Sequence, residues 1–137
     1  MKIVLVDTNI LLVSISPRSP YHWVFRNLID ENYILCVTTD VLEEYEEIIG
    51  RHMGFKVANF VLQIIENAIN VELVTKYFRW DLITQDPDDN KFVDCAIASN
   101  ARFIVPNDKH FNILSNIEFP KVEVISLDDF SKIMKHE

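Results

Sequence analysis

Lys2-Ile3-Val4-Leu5-Val6-Asp7-Thr8-Asn9 starts as a short, β-branched apolar run and breaks off in three consecutive polar residues. A run that is apolar at adjacent positions rather than alternate ones is the pattern of a strand buried on both faces, as in a parallel sheet covered by helices. Working outward, four more segments read as strands: Ile34 to Val37, Val71-Glu72-Leu73-Val74, Arg102-Phe103-Ile104-Val105 and Val122-Glu123-Val124-Ile125. Between them apolar residues recur at helical spacing, in Trp23 to Ile29, in Val41, Leu42, Tyr45, Ile48 and Ile49, in Val57, Phe60, Val61, Ile64, Ile65 and Ala68, and in Phe92, Val93, Ala96 and Ile97. Thr39 or Asp40 is the expected N-cap of the second of these helices, with Glu43 as capping-box partner of Asp40 and Gly50 or Gly54 as its end. Ser126, with Asp129 three residues on, opens the last helix. Strands that alternate with helices predict an α/β fold: one domain over residues 1–137, a three-layer α/β/α sandwich with a parallel central sheet.

Composition narrows the function. Asp and Glu outnumber Lys and Arg by 21 to 13, a net charge of -8, which excludes nucleic-acid binding driven by bulk positive charge. Cys36 and Cys95 each stand inside an apolar stretch without metal-ligand spacing, so both are expected as buried free thiols in a reducing cytoplasm. No apolar run approaches the ~20 residues of a membrane-spanning helix.

In an open α/β sheet ligands bind beyond the carboxyl ends of the strands. Asp7 follows the first strand directly, Asp108 follows Val105 by three residues, and Asp88 or Asp89 stands just before the helix leading into that strand. Glu43 or Glu44 in the second long helix is a fourth candidate, while Glu46 and Glu47 are expected to face solvent. Asp94 falls one turn into its helix, four residues after Asn90, where it either faces the same rim or interrupts the apolar stripe. Each residue also has a purely structural reading as a cap, turn or solvated helix face. Carboxylates gathered at one rim repel one another unless a cation neutralises them. An all-oxygen set without a Cys/His cluster suits Mg²⁺ or Mn²⁺, and such an ion activates water against a phosphodiester.

Four motifs in order carry a resemblance: Val6-Asp7-Thr8-Asn9, Val41-Leu42-Glu43-Glu44-Tyr45, Asp86-Pro87-Asp88-Asp89-Asn90-Lys91-Phe92 and Phe103-Ile104-Val105-Pro106-Asn107-Asp108-Lys109. Together they resemble the PIN domain family, and within it the toxin branch similar to the VapC-type ribonucleases of bacterial toxin–antitoxin pairs. The resemblance implies a Mg²⁺- or Mn²⁺-dependent endoribonuclease that is often a homodimer, with RNA as substrate and an antitoxin as possible protein partner. It places the family's acidic ligands on Asp7, Glu44, Asp89 and Asp108, with Asp88 and Asp94 as rivals for the third, and its small polar neighbours of the first aspartate on Thr8 and Asn9. Pro106-Asn107 stands where the family commonly carries Thr or Ser followed by Gly. That departure favours an alternative, a PIN-like nucleic-acid-binding or protein-interaction module without turnover. Arg18, His22, Arg51, Lys91, Lys109 and His110 are the basic and aromatic residues available to grip a substrate. A receiver-like phosphoacceptor domain would use similar carboxylates but leaves the helix glutamate without a role.

Overall fold

A computed structural model describes residues 3–75, 80–83, 90–106, 114 and 122–135. Its sheet holds β1 (Ile3–Val6), β2 (Ile34–Val37), β3 (Val71–Leu73) and β4 (Phe103–Val105), every pair parallel, in the order β3-β2-β1-β4. The chain moves one way from β1 through β2 to β3, then returns to set β4 on the other side of β1. The strand order therefore reverses between β1 and β4, the switch point where parallel sheets bind ligands. The expected strand at Val122 to Ile125 is reduced to a parallel bridge between Ile104 and Val124, flanked by Ile104 N–H donating to Glu123 O at 2.9 Å and Ile125 N–H donating to Ile104 O at 3.0 Å.

The helices are α1 (Thr8–Ser14), α2 (His22–Ile29), α3 (Thr39–Met53), α4 (Phe55–Asn67), α5 (Asn90–Ser99) and α6 (Leu127–Lys135). α5 packs against β1, β2 and β4, while α3 packs against α1, α4 and α5. Among the described residues no helix is long and apolar enough to cross a membrane. The core runs through Val4, Leu5 and Val6 of β1, Leu35 and Val37 of β2, and Ile104 and Val105 of β4, with Val41, Tyr45 and Ile49 of α3 facing it.

Local sequence accounts for the element ends. Thr38 caps α3, one residue before the expected cap, accepting from Val41 N–H at 3.4 Å, and its hydroxyl donates to Asp40. Asp40 is thus held in the first helical turn rather than at the cap. Gly50 stays inside α3, and the helix ends at Gly54, whose φ of 94° suits a residue without Cβ. Gly54 also precedes the first residue of α4, so one glycine turns the chain between two helices. Within α4 the buried positions are Ala58, Val61, Leu62 and Ile65, whereas Phe60 is 60% exposed. The expected stripe was thus rotated by part of a turn, because α4 packs mainly on α3 instead of lying flat on the sheet. Ser126 caps α6 by accepting from Asp129 N–H at 3.1 Å, as its spacing predicts.

Candidate functional site

Asp7 sits where β1 ends and α1 begins. Its N–H donates to Val105 O at 3.1 Å, which fixes it beside the end of β4, and its Oδ1 accepts from Asn9 N–H at 3.1 Å as the N-cap of α1. The cap reading and the rim reading of this residue are therefore both satisfied by one geometry. At 6% exposure the carboxylate is buried, an arrangement that costs free energy unless hydrogen bonds or a cation compensate.

Thr8, the first residue of α1, is buried too, and its hydroxyl donates to Glu44 Oε2. That contact joins the N-terminus of α1 to the second turn of α3. The adjacent Tyr45 fixes α3 against the sheet: fully buried, it donates its hydroxyl to Val6 O at 2.5 Å. Burial holds the Tyr45 phenol well above its ordinary range, so it remains a donor to that carbonyl. Glu44 and Tyr45 thus divide the work, one side chain reaching the rim and its neighbour setting the depth of the helix that carries it. Glu43, Glu46 and Glu47 are exposed, whereas Glu44 is half-buried and reaches Thr8.

The other oxygen of Glu44 meets Lys91. In the first turn of α5, Lys91 Nζ lies 2.9 Å from Glu44 Oε1, with both side chains about three-quarters covered, at 24% and 22% exposure. Sequence reading named Lys91 only as one of several possible substrate contacts. The available signal is its place as the first basic residue after Asp86, Asp88 and Asp89, at the start of the helix.

Asp94, one turn further along α5, is buried, and its Oδ1 accepts from Trp80 N–H at 3.1 Å. Asn90, four residues earlier, donates to Ile83 O at 2.9 Å and accepts from Ile83 N–H at 2.8 Å. The face of α5 bearing Asn90 and Asp94 therefore clamps the 80–83 segment through backbone-like hydrogen bonds. Behind it, Cys95 of α5 and Cys36 of β2 are free, fully buried thiols. The hydrogen bond between them, reinforced by burial, pushes the Cys95 thiol up; the same bond lowers Cys36 against the opposing effect of burial.

Asp7, Thr8, Glu44 and Lys91 are thus brought into one connected group, with Asp94 on the same helix as Lys91. Asp88, Asp89, Asn107, Asp108, Lys109 and His110 lie outside the described residues. Among the described residues no three His, Cys, Asp or Glu side chains form a group able to hold a metal ion. The donors present are nevertheless of the right kind for Mg²⁺, which takes one or two protein carboxylates and keeps water at its remaining positions. An ammonium group already placed on Glu44 marks this rim as one that favours positive charge.

The solved structures include a chain of similar fold in the crystal structure of VapBC2 from Rickettsia felis bound to a DNA fragment from their promoter. It matches with a TM-score of 0.63 over 92% of this chain and 99% of that chain, at 18% identity, a level that speaks for the α/β/α fold alone. No curated protein matches the sequence. The sequence profile of the PIN domain matches residues 3–110, from the start of β1 past the end of β4, and thus spans Asp7, Glu44, Lys91 and Asp94. By that match over most of its length, the chain belongs to the PIN domain family.

Proposed function

We propose that the chain is a Mg²⁺- or Mn²⁺-dependent endoribonuclease, the toxin component of a toxin–antitoxin pair, acting in the cytoplasm as a homodimer built from a single domain of residues 1–137. The observation that carries the reading is the linkage of Asp7, Thr8 and Glu44 at the β1–β4 switch point of a PIN fold. Asp7 and Glu44 would hold the ion, joined by Asp89 and Asp108 from the adjoining segments, with Asp88 or Asp94 as the alternative third ligand. A bound divalent ion supplies activation of water and neutralisation of charge on the phosphate oxygens.

The chain's own residues prepare that chemistry. Asn9 N–H orients one Asp7 oxygen, so the carboxylate is held at the rim before any ligand arrives. The Thr8 hydroxyl, which here donates to Glu44 Oε2, fixes the rotamer of a side chain carried on a different helix. Tyr45 keeps that helix at constant depth through Val6 O. With a net charge of -8 the protein holds RNA weakly by itself, and cleavage depends on the divalent ion for binding as well as for reaction. Likeness to VapBC2 supports an antitoxin partner, and the buried free thiols accord with a reducing compartment.

Asp7→Asn tests the assignment, because asparagine caps a helix as well as aspartate but ligates a hard cation poorly. Mg²⁺-dependent cleavage of RNA is expected to fall by roughly 10²–10⁴-fold, several kcal/mol of transition-state stabilisation, with an unchanged circular dichroism spectrum. Cleavage at the wild-type rate removes Asp7 from the site. A second reading, a PIN module that binds without turnover, is favoured by the engagement of both Glu44 oxygens within the protein. Absence of cleavage by the wild-type chain in either Mg²⁺ or Mn²⁺ selects it.

A further inference from the structure

We propose that Lys91 is a resident counter-ion of the site: its ammonium group competes with the divalent cation for Glu44 and leaves the carboxylate when the cation binds. The inference rests on the metal-dependent reading of the site given above.

Three features of the Lys91–Glu44 pair carry it. Lys91 Nζ is 2.9 Å from Glu44 Oε1 while the Thr8 hydroxyl donates to Oε2, so a divalent cation approaching Glu44 meets an ammonium already held on the same carboxylate and is repelled by it. Thr8 is buried and sits on a helix whose start is fixed by Asp7, whereas Lys91 ends a flexible four-carbon stem at a quarter exposure. The lysine is the partner that can leave. The pair also joins positions 47 residues apart, on helices that lie against each other, and a partly exposed ion pair adds little to stability there.

The arrangement solves a physical problem of the metal-free protein. Glu44 stands at a largely covered rim, where a carboxylate is poorly hydrated and gains from a cation held close to it. A lysine at that place balances the charge without closing the site, because the ammonium remains attached to α5 and returns when the cation departs. Its cost is lowered metal affinity: each cation that binds must break the ion pair and tolerate the ammonium nearby.

Calorimetric titration of Mn²⁺ into wild type, Lys91→Met, Lys91→Arg and Asp7→Asn tests this directly. Lys91→Met is expected to bind Mn²⁺ about five- to tenfold more tightly than wild type, and Lys91→Arg, which keeps the charge, within about twofold of it. Equal or weaker binding by Lys91→Met overturns the inference; if wild type binds and Asp7→Asn does not, the metal-dependent reading survives that result. Failure of both wild type and Lys91→Met to bind overturns both, and binding by Lys91→Met alone supports competition in its strongest form. A measurement on the unaltered chain guards against a folding defect in the variants. Acetylation of the Lys91 amine, followed by mass spectrometry, is expected to rise severalfold when Mn²⁺ is added, and an unchanged or lower yield overturns displacement.

Discussion

At the carboxyl ends of β1 and β4, Asp7 and Thr8 are polar and buried; at β3, two strands away in the same sheet, Leu73 is apolar and 64% exposed. Position in the strand order explains both. β1 has neighbours on each side, so its carboxyl end opens between β2 and β4 beneath α1, α3 and α5. Polar groups delivered there lose water and must find partners, which is why Asp7, Thr8, Glu44 and Tyr45 all have named hydrogen bonds. Among the described residues β3 has a neighbour on one side only, and an edge strand this short, with Glu72 at its centre, keeps its exposed side charged. Position in the sheet, more than apolar character, therefore decides burial at the strand ends.

The contrast between centre and edge of the sheet can be broken at residues paired between β2 and β3. Leu35 and Val71 are partners in the β2–β3 register, yet Leu35 is fully buried and Val71 half-buried. Leu35→Ala is expected to cost about 2–5 kcal/mol of unfolding free energy in urea denaturation, the range for a core leucine that leaves a cavity behind. A cost near zero would mean that β2 is not central.

A second attack uses alkaline pH. Tyr33 and Tyr45 are fully buried, and burial pushes both phenols above their ordinary value. The native state then keeps protons that the unfolded chain gives up. Their contribution is complete below the unfolded phenol value of ~10 and is lost as pH rises through and beyond it, by ~1.4 kcal/mol per pH unit for each tyrosine. Thermal melts between pH 9 and 11 should show this slope. Replacement of either tyrosine by phenylalanine should reduce it by ~1.4 kcal/mol per pH unit above pH ~10, and an unchanged slope would place the effect elsewhere.

The same substitution has a separate cost at neutral pH. Tyr45→Phe leaves Val6 O without its donor inside the core, an expected loss of about 1–3 kcal/mol. It should also loosen Glu44 relative to Thr8, so RNA cleavage is expected to fall while metal-free folding persists. Loss of stability without any change in cleavage would separate the depth of α3 from the working of the site.

Legibility in the sequence follows the same division. The β1, β2 and β4 runs, helix α5 from Asn90 to Ser99 and the Ser126 cap were all readable, because local pattern and final environment agree there. Helix α1 was not read, since its first residues, Thr8 and Asn9, present a polar triplet with Asp7, and only the turn at Asp7 converts them into a helix start. The strand expected at Val122 to Ile125 is reduced to a single bridge beside β4. Asp7 was legible as a candidate because chemistry restricts what can follow a buried strand, whereas Glu44 was singled out from Glu43 only by the family resemblance. The Lys91–Glu44 pair was not, since it depends on how α5 settles against α3, a contact 47 residues apart that no local pattern encodes.

The smallest effect is expected at the edge strand. Leu73 stands beside Val37 in the register, and that valine is fully buried while Leu73 faces water. Leu73→Thr introduces a β-branched strand former and removes exposed apolar surface, so unfolding free energy should change by no more than about 0.5 kcal/mol. Solubility should rise or stay the same, because an apolar edge is a template for pairing with other chains. A loss above ~1 kcal/mol would mean that β3 is covered in solution, by another copy of the chain or by a protein partner, since burial is what gives a leucine that weight. Measuring the loss at two protein concentrations distinguishes these, because only coverage by a second copy makes the apparent stability concentration-dependent.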